Sequence, residues 1–222
     1  MLRRYLTAIA LLFAAGLPVC AQEKKLPLLF EDDFEKGADR WQPADSKAWR
    51  ITDLGGNKVF EQFQLSKVKT PHRSPFNYAL VKDLIVGNFI LEAKIKSTVK
   101  DYGHRDMCLF FGWQDPARHY YVHMAKAVDD RAHQIFIVNA KDRVKISTKT
   151  TKGVEWGDRW HQVKLVRTVS DGAIALYFDD MNTPIMTATD GTFTWGQVGV
   201  GTFDDTGMVD DVKVYGVRSE KK

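Results

Sequence analysis

The chain has 222 residues, of which 44% are hydrophobic and 27% are charged, a composition typical of a globular domain and not of a disordered chain. Its formal net charge of +4 is too small to indicate binding to nucleic acid or to a membrane surface. The length is sufficient for one domain with one sizeable core.

The first predicted element is an export signal. Arg3 and Arg4 precede an apolar run over residues 5–17, and a Val-x-Ala cleavage pattern ends at Ala21. The apolar run is shorter than the roughly 20 residues that a transmembrane helix requires. We therefore predict cleavage near Ala21 and export to the periplasm or the extracellular space.

Cleavage would leave a single domain over residues 22–218, followed by a short flexible tail at residues 219–222. It would remove two basic residues and no acidic residue, so that 30 basic side chains would face 28 acidic ones. Of the two cysteines only Cys108 would remain, and a lone cysteine on an apolar strand is typical of a buried packing residue. We therefore expect no disulfide.

After residue 26, short apolar segments alternate with Gly, Asp, Asn and Pro. Over residues 89–96, Leu91 and Ile95 would face one side of a strand, whereas Glu92 and Lys94 would face the other. About thirteen such strands and no helix beyond the leader predict an all-β protein, a two-sheet antiparallel jelly-roll sandwich. The predicted strands cover residues 48–52, 58–63, 78–81, 89–96, 107–113, 119–125, 134–139, 143–147, 160–168, 173–178, 184–189, 197–202 and 209–215.

Four pieces of sequence follow one another in an order that carries a family resemblance. They are FEDDF at 30–34, WQDP at 113–116, WHQVKL at 160–165 before IALYFDD at 174–180, and GVGT at 199–202 with VDDVKV at 209–214. This order resembles the concanavalin A-like lectin/glucanase superfamily, in particular its laminin G-like and 3-keto-disaccharide-hydrolase-like domains. The resemblance covers the chain from Leu26 to Tyr215, and it implies a curved jelly roll whose concave sheet receives a glycan.

Fold alone does not determine chemistry in this superfamily. The resemblance implies that its retaining glucanases carry two glutamates on one face of a strand, and such enzymes need carboxyl groups about 5 Å apart. The chain has no Glu-x-Asp-x-Glu motif, so this mechanism is disfavoured. A lyase would need a base and an acid such as His and Tyr, together with Arg to neutralise a uronate carboxylate.

Residues of these types gather on and near the strands predicted at 107–113 and 119–125. Period two places Tyr121 and His123 on the same face of their strand. The catalytic candidates are His123, His104 and Tyr121. The substrate-binding candidates are Arg73, Arg105, Asp106, Trp113, Tyr120 and His133, in which the aromatic rings would stack on sugars. The alternative at each position is an ordinary half-solvated sheet face with local polar pairs.

A structural calcium site is predicted where the chain ends meet. The resemblance places the first and last strands side by side, which would bring Glu31 and Asp33 near Asp210 and Asp211. Calcium takes six to eight oxygen ligands, although aspartates at such positions also cap turns. Zinc is not favoured, because no pair of histidines four apart has a neighbouring glutamate on a helix. No glycine-rich phosphate loop is present, and no organic cofactor is expected.

These observations predict an exported, monomeric domain that binds a poly- or oligosaccharide on its concave sheet, with no nucleic-acid partner and no membrane insertion. Two alternatives stay open. One is a glycan-degrading enzyme, either a glycoside hydrolase or a polysaccharide lyase with a His/Tyr/Arg site. The other is a non-catalytic adhesion or structural module.

Overall fold

The computed structural model describes residues 26–221, and the predicted export signal at residues 1–21 lies outside this range. Within it, no helix is long and apolar enough to cross a bilayer, and one 3-10 turn, Ser46–Ala48, accompanies sixteen strands. The strands are β1 (Leu28–Asp32), β2 (Trp41–Pro43), β3 (Trp49–Asp53), β4 (Lys58–Gln62), β5 (Asn77–Val81), β6 (Val86–Ser97), β7 (Asp106–Asp115), β8 (Arg118–Ala125), β9 (Gln134–Asn139), β10 (Val144–Lys145), β11 (Ser147–Thr150), β12 (His161–Thr168), β13 (Ala173–Phe178), β14 (Met186–Thr189), β15 (Gln197–Thr202) and β16 (Gly207–Arg218).

The strands form two antiparallel sheets that pack face to face around a common core. The nine-stranded sheet has the order β11-β14-β13-β12-β6-β16-β4-β3, with β1 also paired to β16, and the seven-stranded sheet has the order β10-β9-β8-β7-β15-β5-β2. The predicted two-sheet antiparallel jelly-roll sandwich is thereby confirmed. The first and last strands are neighbours, as expected, because β1 and β16 pair over Leu28–Asp32.

In the nine-stranded sheet, buried residues alternate with more exposed ones along the central strands β6 and β12. Leu91 and Leu165 are register partners and are completely buried in the core, whereas the adjacent pair Glu92 and Lys164 lies on the outer face. Burial of the apolar stripe drives this sheet onto its partner, and the charged stripe remains in contact with water.

The seven-stranded sheet departs from this alternation because both of its faces are covered at the centre. Eight successive residues of β7 and seven of β8 are buried. On the inner face, Leu109, Val122 and Ile135 join the core between the sheets. A half-solvated face is therefore not found on these two strands. The outer face carries a second apolar group, called here the outer cluster, formed by Tyr78, Leu80, Cys108, Phe110, Trp113, Tyr121, Phe136 and Val138.

Two glycines allow the outer cluster to close over β15. Because Val198 and Val200 face the core, alternation directs Gly199 and Gly201 outward. The rings of Tyr78 on β5 and Phe110 on β7 therefore meet above β15, with centroids 5.7 Å apart. A Cβ atom on Gly201 would lie 2.0 Å from the backbone oxygen of Asn77, so a side chain at this position would force β5 away.

A β-bulge turns Trp113 toward the outer face. The register between β7 and β8 shifts between Phe111 and Asp115, and Gly112 has a φ of 54°, a backbone conformation that glycine adopts at low cost. Strict alternation would direct Trp113 to the same side as Phe111, into the core. Instead the indole packs on Tyr78 with ring centroids 4.4 Å apart.

We expect Gly201→Ala to lower the free energy of unfolding by about 2 kcal/mol or more, because the added methyl group overlaps the Asn77 carbonyl and the strands must separate to relieve it. Urea denaturation would measure the change. Gly191→Ala is the matched control, since nothing lies within 4 Å of a Cβ atom at that position, and it should stay within about 0.5 kcal/mol of the parent. Equal effects of the two substitutions would contradict the close approach at β15.

Candidate functional site

Residues 63–76 connect β4 to β5, bring Arg73 next to Phe203 on the outer side of the seven-stranded sheet, and are called here the covering segment. Near one edge of the sheet, the backbone N–H of Ser66 donates to Oδ1 of Asn77 at 2.7 Å. At the opposite edge, the carbonyl oxygen of Arg73 accepts a hydrogen bond from the backbone N–H of Arg143 at 3.1 Å, just before β10. The segment therefore spans the sheet from the β5 side to the β9–β10 side.

The guanidinium group of Arg143 is held by aromatic rings above the outer cluster. Its carbon lies 4.6 Å from the ring centroid of Phe136 and 4.4 Å from that of Phe203. Its Nη1 donates to the hydroxyl of Tyr121 at 2.7 Å, the one hydrogen bond that this side chain makes within residues 26–221. The other N–H donors of the guanidinium fork have no acceptor there, so a rigidly held cation can still bind a ligand.

Polar side chains surround Arg143 at the surface. Arg73 is exposed on the covering segment, and its guanidinium carbon lies 5.8 Å from the ring centroid of Phe203. Asp204 is exposed directly after Phe203, which is itself partly exposed. Arg73, Arg143, Phe203 and Asp204 are called here the rim cluster. It places N–H donors and a carboxylate acceptor above a floor of aromatic rings.

Three buried side chains that can ionise or bind a metal, His123, Cys108 and Asp106, lie beneath Phe203. The ring of Phe203 is nearly parallel to that of His123, with an interplanar angle of 9° and centroids 5.6 Å apart. Cys108 faces His123 as its register partner on the neighbouring strand, and Asp106 precedes it by two residues. Cys108 is a free, buried thiol, as predicted. Burial raises its pKa well above the usual value, with the Asp106 carboxylate adding to the effect.

Of the three predicted catalytic residues, two lie on the outer face beneath the rim cluster and one lies elsewhere at the surface. Tyr121 and His123 both belong to the outer face, with exposed fractions of 0% and 3% and ring centroids 6.3 Å apart. Burial raises the pKa of Tyr121 well above its usual value, so its phenol stays protonated. His104 lies apart from them, at the surface before β7, with Nε2 2.7 Å from Oδ2 of Asp129. The expectation that all three share one site is therefore wrong for His104.

Among the predicted substrate-binding residues, Asp106, Trp113 and Arg73 lie on or over the outer face. Tyr120 does not, which corrects its grouping with Tyr121. Its ring is completely buried in the core between the sheets, because adjacent residues of β8 point to opposite faces. Its hydroxyl donates to Asp190 and accepts from the backbone N–H of Phe193. Tyr120 therefore connects the inner face to the loop after β14.

Arg105 and His133 are also separated from the outer face. The buried guanidinium of Arg105 donates to the carbonyl oxygens of Ser97 and Gly157, at 2.9 and 2.8 Å. The imidazole of His133 is completely buried; Nδ1 accepts from the backbone N–H of Ala125, and Nε2 lies 2.9 Å from the Thr151 hydroxyl. Both side chains link loops within the domain, which corrects the prediction that they line the concave surface.

The predicted calcium ligands lie on or beside the paired strands β1 and β16, but three of the four have another side-chain partner, and Asp33 accepts a hydrogen bond from the nearby backbone N–H of Glu35. They are Glu31, Asp33, Asp210 and Asp211. Lys213 lies 2.9 Å from Glu31, Lys94 lies 2.6 Å from Asp211, and Asn57 donates to Asp210 at 3.1 Å. Within the described range, these carboxylates form no group of three ligand atoms around one point. The four carboxylates therefore lie along the paired strands without converging on one point, and calcium binding stays a prediction.

Comparison with known proteins supports the fold and gives no closer relationship. No protein-family model matches the chain, and no curated protein matches it in sequence. Among solved structures, the carbohydrate binding module CBM66 from Bacillus subtilis superimposes with a TM-score of 0.56 at 17% identity, over 80% of this chain and 96% of that one. A protein of unknown function with a galectin-like fold, also from Bacillus subtilis, gives 0.56 at 12% identity, over 89% and 99%.

A plant lectin matches to a similar degree. The metal-free form of lectin I-B4 from Griffonia simplicifolia superimposes with a TM-score of 0.55 at 12% identity, over 85% of this chain and 98% of that one. At these identities the likeness concerns the fold. The chain has the concanavalin A-like, lectin-like β-sandwich fold that the sequence resemblance implied.

The burial of His119 shows that the outer face is covered at this position. His119 is fully buried and stacks on Trp113, with ring centroids 4.2 Å apart and an interplanar angle of 23°. Its Nε2 has no hydrogen-bond partner among residues 26–221. Burial lowers the pKa of His119 from 6.5 to about 4. The folded protein therefore resists protonation of a group that titrates freely once the chain unfolds.

We expect the free energy of unfolding to fall as the pH is lowered from 7 to 5. The unfolded chain takes up a proton at His119 below its pKa of 6.5, whereas the folded chain does so only near pH 4, so stability is lost in that interval. The contribution at pH 5 is about 2 kcal/mol. Urea denaturation at the two pH values would show it, and His119→Phe, which keeps a ring on Trp113, should reduce the difference by about that amount.

Phe110→Leu serves as the control, because it perturbs the same cluster without removing a titratable group. It should lower stability equally at pH 7 and pH 5. A pH difference that is the same in His119→Phe as in the parent would contradict the buried, neutral state of this imidazole.

Proposed function

We propose that this protein is an exported carbohydrate-binding domain that holds a poly- or oligosaccharide over the outer face of its seven-stranded sheet, at the rim cluster. Two of the solved structures that share the fold are described as a carbohydrate binding module and a lectin, which supports this class of ligand. The export signal that we propose for residues 1–21 would deliver the domain to a compartment where polysaccharides are encountered.

The observation that carries the proposal is the setting of Arg143. Its guanidinium carbon lies over the rings of Phe136 and Phe203, and one of its N–H groups donates a hydrogen bond to the hydroxyl of Tyr121. A planar fork with unused donors is suited to neighbouring sugar hydroxyl groups or to a sugar carboxylate, which it can bind through two parallel hydrogen bonds. Because the fork is already immobilised, little conformational entropy is lost when a ligand binds.

The other members of the rim cluster supply the rest of a polar recognition surface. Arg73 offers further N–H donors from the covering segment, and Asp204 offers acceptor oxygens from the end of β15. Sugar hydroxyl groups both donate and accept hydrogen bonds, so a surface with both kinds of group can satisfy them. Ligand sites of this kind combine apolar walls with a few placed polar groups.

Binding without turnover is the function that these contacts favour. His123 lies under Phe203, and Tyr121 is completely buried and accepts the hydrogen bond of Arg143. Both side chains are buried, so a glycosidic bond cannot approach either of them in this structure. General acid-base catalysis requires such groups within hydrogen-bond reach of the substrate.

We expect Arg143→Lys and Arg73→Ala each to weaken glycan binding about tenfold or more, because a charged hydrogen bond contributes on the order of 1.5–3 kcal/mol. The lysine variant keeps the charge but loses the planar fork. A glycan array that includes neutral and uronate-containing oligosaccharides would identify the ligand, and calorimetry would then give the affinities.

Lys149→Ala is the matched control, because Lys149 is an exposed cation on β11, at the edge of the other sheet. It should bind the identified glycan like the parent protein. Retention of no glycan by the parent, or unchanged affinity in both arginine variants, would overturn the proposed function and favour an adhesion or structural role.

A further inference from the structure

We propose that Asp106, Cys108 and His123 form a binding site for a zinc ion, or for a divalent ion with the same ligand preference, beneath Phe203. The inference rests on the buried side chains themselves and does not depend on glycan binding. The three residues come from adjacent strands: Asp106 and Cys108 lie two apart on one face of β7, and His123 is the register partner of Cys108 on β8. Together they direct an oxygen, a sulfur and a nitrogen atom to one place.

The spacing of the ligand atoms suits a tetrahedral ion. One ligand atom from each residue lies within 4.8 Å of the other two, the one such group among the described residues. Sγ of Cys108 is 3.8 Å from Oδ1 of Asp106, and Nε2 of His123 is 3.1 Å from Oδ2 of the same carboxylate. Zinc bonds of about 2.0–2.3 Å at tetrahedral angles would separate ligand atoms by roughly 3.3–3.6 Å. Small side-chain adjustments therefore suffice to enclose the ion.

The hydrogen-bonding state of these groups points to a missing partner. His123 is 3% exposed, yet neither ring nitrogen has a hydrogen-bond partner in the described part of the chain, and the same holds for Oδ2 of Asp106. Although Nε2 and Oδ2 are only 3.1 Å apart, the ring N–H bond does not point toward the carboxylate. Buried polar groups in folded proteins nearly always have partners, and an ion is one such partner. A short distance between a nitrogen and an oxygen atom that are not hydrogen-bonded to each other is expected for two ligands of the same cation.

The charges also balance. One carboxylate and one thiolate neutralise a divalent cation, and a neutral imidazole completes the set, so the loaded cluster would carry no net charge. This is the least costly arrangement for ions in a buried setting. Thiolate and imidazole ligands favour zinc over calcium and magnesium. On binding, the Cys108 thiol proton would leave to solvent as the sulfur–metal bond forms.

Three protein ligands leave one tetrahedral position for a water molecule or another small oxygen ligand. Phe203 lies next to two of the three ligands, since its ring stacks on His123 and its backbone N–H donates to Oδ1 of Asp106 at 2.9 Å. The strand arrangement explains why sequence spacing gives no motif. An Asp-x-Cys pair on one strand and a histidine fifteen residues later coincide only through the register of β7 and β8.

The test uses the chelator-treated full chain, titrated with Co²⁺ as a spectroscopic probe and with Zn²⁺ by calorimetry. Because the site is buried, each ion is also supplied during refolding from urea. We expect one equivalent to bind, with a sulfur-to-cobalt charge-transfer band that Zn²⁺ abolishes by displacement. We also expect a rise in Tm with free Zn²⁺ through binding linkage and release of about one proton per ion. Ca²⁺ should produce none of these changes.

Cys108→Ser should remove the charge-transfer band, and His123→Gln should weaken Co²⁺ binding at least tenfold. His104→Gln, which alters an exposed histidine outside the group, should bind like the parent. Urea denaturation of each variant establishes that it is folded. Absence of the band in the parent after both loading procedures would overturn the site. So would a band that persists in Cys108→Ser, or binding lost equally in His104→Gln, which would indicate adventitious surface coordination.

Discussion

Burial of both faces of the seven-stranded sheet is the constraint on which the rest of this structure depends. An antiparallel sheet commonly packs one face and exposes the other to water, and the nine-stranded sheet does so. The seven-stranded sheet instead carries aromatic rings outward, and those rings are stable only because they cover one another and are covered in turn. Gly199 and Gly201 let rings from the flanking strands meet above β15, the bulge at Gly112 adds Trp113, and the covering segment and Arg143 complete the layer.

This layer also determines what the surface can do. Aromatic rings fix the guanidinium of Arg143, so the polar groups that reach solvent are carried by a rigid base and not by a mobile loop. Preorganisation of this kind lowers the entropic cost of binding. The same layer separates the exposed hydrogen-bonding groups of the surface from the buried ionisable groups below. The rim cluster above Phe203 presents hydrogen-bonding groups to solvent, while the carboxylate, thiol and imidazole below it are shielded from water.

The fold could be predicted from the sequence to a large extent, and the site only in part. Strands such as Gln134–Asn139 and Ala173–Phe178 have the predicted bounds, because alternation and turn residues are local signals. Tyr121 and His123 were grouped correctly for the same reason. Trp113 reached their face only through a bulge, for which Gly112 was the available signal. Arg143 and Phe203 were missed because they lie 60 residues apart in the sequence and Phe203 lies 80 residues from His123, so no local pattern encodes their contacts.

The covering segment has a consequence for how the molecule opens. It joins the end of β4 in one sheet to the start of β5 in the other. Next to the β9–β10 turn it is attached by two hydrogen bonds of the Arg73 backbone, whose carbonyl oxygen accepts from the Arg143 N–H and whose N–H donates to the Asp142 carboxylate. The covering segment can detach while the strand ladders stay intact, as a local opening of lower free energy than global unfolding. Limited proteolysis would then cut residues 63–76 before any strand. Backbone amides of the outer cluster would exchange with solvent at the rate at which the covering segment detaches.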